Sequence, residues 1–178
     1  MQVLDGIKVL DVTQFISGSK CTQILADMGA DVVRIEPPSG ETFRLIVQFM
    51  PGAERTYSVL NRNKYGITLD WHRPEGQDIM RRLVSLSDIF IHNLIPGTLD
   101  RNHLGYEDLK KVKNDIIYVS ISGFGTTGVK PERAAFDILS SCFLYLLENS
   151  EMNLLTNSLI SSIRSRKGGI CKFITFNL

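Results

Sequence analysis

Short apolar runs alternate along this chain with longer segments whose apolar residues recur at helical spacing. Ile7-Lys8-Val9-Leu10-Asp11-Val12 reads as a buried strand. A polar turn, Ser17-Gly18-Ser19, follows it. Cys21, Ile24, Leu25 and Met28 then share one helical face, and Gly29 is a stop signal. Val32 to Ile35 forms a second strand, closed by Pro37-Pro38-Ser39-Gly40. Strand, helix and strand within about 30 residues match a parallel βαβ unit.

The alternation continues. Ile67-Thr68-Leu69 is strand-like, and Pro74 suits the first turn of a helix with Glu75 and Asp78 near its positive end. Ile79, Met80, Leu83, Val84 and Leu86 give that helix an apolar face. Ile89-Phe90-Ile91 is the next strand, Tyr106 to Val112 a short amphipathic helix, and Ile116 to Ile121 the clearest strand. Phe136 to Leu147 is a strongly apolar helix candidate. Strands alternating with helices predict an α/β fold with a mainly parallel sheet and flanking helices. Such sheets bind ligands beyond the carboxyl ends of their strands. Leu154 to Ile163 can be written as a helix, and Cys171 to Leu178 is a short apolar end with no turn or cap. The expectation is one unit over residues 1–147 and a divergent tail over 148–178.

Composition narrows the class. The 178 residues are 43% hydrophobic and 22% charged, which excludes a disordered chain, a collagen and a disulfide scaffold. A net charge of +1 provides no global field for nucleic acid. No apolar run reaches the roughly 18 residues that span a bilayer. The start, Met1 to Gly6, lacks a basic region followed by an apolar core, so no secretory signal is expected. Cys21, Cys142 and Cys171 are odd in number and widely spaced, as expected of thiols in a reducing cytoplasm. His72, His92 and His103 are isolated, and no metal site is expected.

Four stretches invite chemistry. Gly123-Phe124-Gly125-Thr126-Thr127-Gly128 matches G-x-G-x-x-G after a strand. Val129-Lys130-Pro131 follows instead of a helix, and the strand is a late one, so a glycine-rich turn is the competing reading. Asn93 to Arg101 follows the strand at Ile89, where Arg101 could clamp a phosphate or form a solvated pair with Asp100. Asn61-Arg62-Asn63-Lys64 places two cations around a turn, either facing a phosphate or solvated. Asp137 opens an apolar helix, as a first-turn carboxylate would.

Read together, ordered strings resemble the class III CoA-transferases. They are Leu4-Asp5-Gly6-Ile7-Lys8-Val9-Leu10-Asp11-Val12-Thr13, Leu25 to Pro38, Leu60-Asn61-Arg62-Asn63-Lys64, Ile67-Thr68-Leu69-Asp70 and Pro74-Glu75-Gly76. Asn93, Pro96-Gly97, Leu99-Asp100-Arg101, Leu104-Gly105-Tyr106-Glu107, Ile121 to Gly128 and Ala135-Phe136-Asp137-Ile138 complete the series. The resemblance covers residues 4 to about 147 and implies a Rossmann-like domain joined to a smaller one, with two chains interlocked. It implies CoA contacts at Gln14, Phe15, Ile16 and Ser17, at Asn93, Leu94 and Ile95, and along Leu69 to His72. Arg101 takes the phosphate-facing position, and Gly123 to Gly128 becomes a family turn. A basic residue that some members carry after the strand-ending acid is Pro37 here.

By the same resemblance, racemase members place a histidine before the Asp137 position, where this chain has Phe136, so transfer is favoured over α-methylacyl-CoA racemisation. In transferases an aspartate carboxylate attacks the acyl-CoA thioester, and the acyl group passes through covalent intermediates to a new acid. That aspartate lies a few tens of residues beyond the Phe-Asp-Ile string, yet no Asp follows Asp137, which remains a weak substitute. The expected reading is therefore a chain truncated before the smaller domain, the CoA-binding N-terminal half of a transferase. The alternative is a non-catalytic CoA-binding or interaction remnant. The expected partners are acyl-CoA and a carboxylic acid as substrates, without a prosthetic group, nucleic acid or membrane. A second copy or a separate C-terminal part would complete it.

Overall fold

β1 (Lys8–Val12) and β2 (Asp31–Glu36) pair in parallel, joined by α1 (Ser17–Asp27). The computed structural model describes residues 2–47, 49, 53–122 and 172–177. β3 (Lys64–Thr68) adds outside β2 after α2 (Thr42–Val47) and α3 (Ala53–Leu60). α4 (Pro74–Ser85) then carries the chain across to β4 (Ile89–His92), on the other side of β1. α5 (Tyr106–Val112) leads to β5 (Ile117–Ser122), and β6 (Lys172–Asn177) lies outside it. The order β3-β2-β1-β4-β5-β6, parallel throughout, is the expected Rossmann-like sheet, with its reversal between β1 and β4.

Alternation along each strand divides the core into two layers. Cys21, Leu25 and Ala26 of α1 pack on Val9, Val32, Ile89, Ile91 and Val119. Met80 and Val84 of α4 and Leu109 of α5 pack on the opposite-facing Leu10, Val12, Ile35, Phe90 and Tyr118. Gly29 ends α1 as expected. Its φ is 100°, its N–H reaches Ala26 O at 3.0 Å, and the Ala30 N–H reaches Leu25 O at 3.1 Å.

The elements differ from expectation at the sheet edges. β3 begins at Lys64 rather than Ile67, because an edge strand exposed on one face needs few apolar residues, and Tyr65 there is 67% exposed. α2 and α3 are short, six and eight residues, and although Tyr57 and Leu60 of α3 are buried, Leu45, Ile46, Phe49 and Val59 are exposed around them. The terminal apolar stretch contains β6, whose backbone pairs with β5 from Ile117↔Lys172 to Ser122↔Asn177. The expected helices over 136–147 and 154–163 fall outside the described residues.

One layer also contains charge. Asp11 lies opposite Arg34 in the β1–β2 register and is fully buried. Lys64 Nζ reaches its Oδ2 at 3.1 Å, Arg34 Nη1 at 3.4 Å, and Thr22 Oγ1 donates to it at 2.6 Å. Thr13 donates to Oδ1 from its amide at 2.9 Å and its hydroxyl at 2.6 Å. Burial alone would raise this carboxyl; Lys64 and Arg34, with the two threonines, hold it below the usual carboxylate range.

In the other layer His92 is buried at the end of β4, and its Nδ1 accepts the Leu94 N–H at 3.3 Å. Its ring meets the Tyr118 ring edge-on at 5.2 Å. Burial pushes the imidazole down to about 3.

Two outcomes follow. Lys64→Met leaves Asp11 short of a cation and lowers stability by about 3–5 kcal/mol in urea unfolding, with an unchanged slope; a loss below about 1 kcal/mol contradicts the network. For His92 the unfolded chain binds a proton near pH 6.5 while the folded chain does not, so stability falls as pH drops from about 6.5 towards 3. Between pH 7 and pH 5 the wild type should lose about 2 kcal/mol more than His92→Gln. Parallel pH profiles of the two proteins refute this assignment.

Candidate functional site

β1 and β4 are neighbours, but the chain leaves their carboxyl ends in opposite directions. A crevice opens at such a reversal because neither connection covers it. Its walls are the loop from Thr13 to Ile16 and the loop from Asn93 to Leu99. Asn93 joins them: its Oδ1 accepts the Gln14 N–H at 2.7 Å, and its Nδ2 donates to Gln14 O at 2.7 Å. Two loops 79 residues apart are thereby fixed as one surface.

The first loop is held from below and from the side. Gly18 packs so closely on the residue after β1 that a Cβ there would lie 2.5 Å from the Thr13 side chain. Thr13 is in turn bonded to Asp11. Phe15 has φ 57°, a left-handed conformation that costs a bulky residue roughly 1–3 kcal/mol unless its surroundings enforce it. Its N–H donates to Glu41 Oε1 at 2.5 Å, and its ring lies 6.2 Å from that of Phe43. Ile16 is the N-cap of α1 and makes no side-chain capping bond, so the cap residue leaves the positive end of α1 uncompensated. Ser17 begins the helix.

In the second loop Leu94 packs against the core, while Ile95 is 47% exposed. Gly97, with φ 81°, turns the chain back, and the Arg101 N–H reaches Gly97 O at 3.1 Å. Arg101 is exposed, and its Nη2 reaches Thr98 Oγ1 at 3.4 Å. Among the described residues it forms no ion pair, with Asp100 or any other acid, so the expected surface pair does not form. A cation and a helix N-terminus on one edge suit an anionic ligand.

Gln14, Phe15, Ile16, Ser17, Asn93, Leu94 and Ile95 thus lie on or at the ends of the two loops that follow β1 and β4, with Arg101 just beyond the second. Leu69 and His72 lie on neither loop. They follow β3, two strand spacings (about 10 Å) from β1. The Leu69 side chain is in the core with Ile35 and Trp71. His72 is exposed, its ring 4.0 Å from that of Trp71 and its amide donating to Asp70 Oδ1 at 3.2 Å.

The turn at Asn61 to Lys64 divides between surface and core, with Arg62 and Asn63 exposed. Arg62 and Asn63 bond Asp27, and Lys64 turns inward to Asp11 and Ser19 O. Asp137, Phe136 and Gly123 to Gly128 lie outside the described residues. Among those residues there is no group of His, Cys, Asp and Glu able to hold a metal ion, and no helix long and apolar enough to cross a membrane. Cys21 is buried, and its thiol is pushed up to about 12 by burial, then by Asp11, so it is unreactive.

Glu41 is the site residue that sequence reasoning missed. It is 1% exposed, and Arg34 Nη2 reaches its Oε2 at 2.5 Å. Its signal was indirect: Arg34 is a cation inside an otherwise apolar strand and requires a buried acid.

Comparison with known proteins bears on the family and the fold. Residues 4–147 match CoA-transferase family III. The chain is 37% identical over 149 residues to succinyl-CoA:glutarate CoA-transferase of Mus musculus, a match covering 83% of this chain and 34% of that protein. It is 40% identical over 126 residues to formyl-CoA:oxalate CoA-transferase of Afipia carboxidovorans, covering 70% and 30% respectively. A CAIB/BAIF family protein from Brucella suis superposes with a TM-score of 0.84 at 29% identity, over 96% of this chain and 51% of that one. The chain spans about a third of the length of these curated relatives. With the family matched over residues 4–147 and curated CoA-transferases 37–40% identical over most of the chain, the chain belongs to CoA-transferase family III.

Proposed function

We propose that this chain is the CoA-binding N-terminal part of an acyl-CoA:carboxylate CoA-transferase. The observation that carries the reading is the Asn93–Gln14 clamp at the sheet reversal. It unites the two loops that the family resemblance assigns to CoA. Arg101 and the open N-terminus of α1 supply positive charge for phosphate groups. Ile95 and the Phe15 ring offer apolar surface beside them.

These residues bind and orient rather than transfer. The transfer step needs a carboxylate that attacks the thioester carbonyl and releases the CoA thiolate, forming an acyl anhydride. None of Gln14 to Ser17 or Asn93 to Ile95 carries a carboxylate, and Asp137 is only a weak substitute for the attacking group.

Calorimetric titration with CoA tests the binding reading. Binding should be measurable, and Arg101→Ala should weaken it about tenfold, the worth of one charge-assisted contact. Binding of pantetheine, which lacks the nucleotide phosphates, should be unaffected by that substitution. Absence of CoA binding, or equal loss for both ligands, contradicts the assignment. Incubation of the pure chain with acyl-CoA and an acceptor acid should yield no transfer, and robust turnover would place the nucleophile within these residues.

A further inference from the structure

Phe15 is the non-glycine residue of the first loop with a left-handed backbone, and the loop's shape at the crevice depends on keeping it there. A conformation so disfavoured persists only where surrounding contacts over-determine it. Asn93 fixes the peptide groups of Gln14, one residue earlier. At Phe15 itself the polar restraint is Glu41, whose Oε1 accepts the Phe15 N–H at 2.5 Å. The Phe43 ring adds an apolar contact from the same segment.

Glu41 is expensive to keep where it is. It is a carboxylate withdrawn from water, and burying an ion pair seldom stabilises more than apolar packing would. Its two oxygens divide the work. Oε2 meets Arg34 Nη2 at 2.5 Å, and Arg34 Nη1 continues to Ser19 Oγ at 3.0 Å and to Asp11. Oε1 faces the loop. Glu41 thus joins the rigid charge network under the sheet to the strained residue at the ligand edge.

We propose that Glu41 is a positioning residue: it holds Phe15 left-handed and so presets the first loop for its ligand. The consequence for CoA rests on the function proposed above. A preset loop is not ordered at the expense of binding, which is where the affinity gain arises.

The test compares two substitutions in the full chain that break the same ion pair. Glu41→Leu removes the acceptor of the Phe15 N–H, whereas Arg34→Gln leaves it. By NMR without ligand, Phe15 amide exchange should accelerate at least about tenfold in Glu41→Leu and change less than about threefold in Arg34→Gln. CoA affinity should fall about tenfold in the first and stay within about threefold in the second. Equal effects of the two variants mean that Glu41 acts only through stability, and the proposal falls. If neither variant folds, the wild type decides: a Phe15 amide exchanging as fast as that of exposed Ser39 overturns the proposal, and a protected one supports it. A wild type with a protected Phe15 amide but no CoA binding supports the restraint and overturns only the assignment of CoA.

Discussion

Asp11 carries a carboxylate into the interior between β1, β2 and α1, where an uncompensated charge would be untenable. Its neutralisation ties together parts of the chain that hydrophobic packing alone would leave free. Arg34 fixes the β1–β2 register at that point. Lys64 anchors the start of the edge strand β3. Thr22 and Thr13 bind α1 and the end of β1 to the same carboxylate. Arg34 then passes the constraint to Glu41, and Glu41 to the loop that lines the crevice.

The location of the crevice follows from topology. α1 covers one layer of the sheet, α4 and α5 the other, and the change of side occurs between β1 and β4. Connections leaving those two strands diverge, so the carboxyl edge is open there. Such an opening would be only a gap without Asn93, whose amide makes the two loops a single wall. The same position explains the charge of the site, since the N-terminus of α1 and Arg101 both lie on that edge.

The sequence revealed the core of this fold and little of its periphery. β1, β2, β4 and β5 are buried on both faces, and their Val and Ile runs announce them. Gly29 and Pro74 mark helix ends through backbone chemistry that is local and therefore legible. β3 carries only Ile67 as an aliphatic residue, so its start at Lys64 was invisible. α2 and α3, at six and eight residues, are too short for a helical period to stand out, even though Tyr57 and Leu60 of α3 are buried. The site divides in the same way. Residues in its loops were found through family resemblance, but the clamp between Gln14 and Asn93 spans 79 positions and no local pattern encodes it. Whether Leu69 faces the core was not legible, because an apolar residue at a strand end can face either the core or a ligand. Lys64 looked like a loop cation because its partner Asp11 is 53 residues away.

The central claim is that the sheet reversal between β1 and β4 is where CoA sits. The most direct measurement is the set of backbone amide shifts in the NMR spectrum of the full chain as CoA is added. The account predicts changes concentrated at Gln14 to Ser17, Leu94, Ile95 and Arg101. Amides at the amino ends of the strands, such as Lys8, Asp31 and Ile89, should stay in place. Changes confined to those amino ends or to the β3 edge, with Gln14 and Leu94 unmoved, would contradict it.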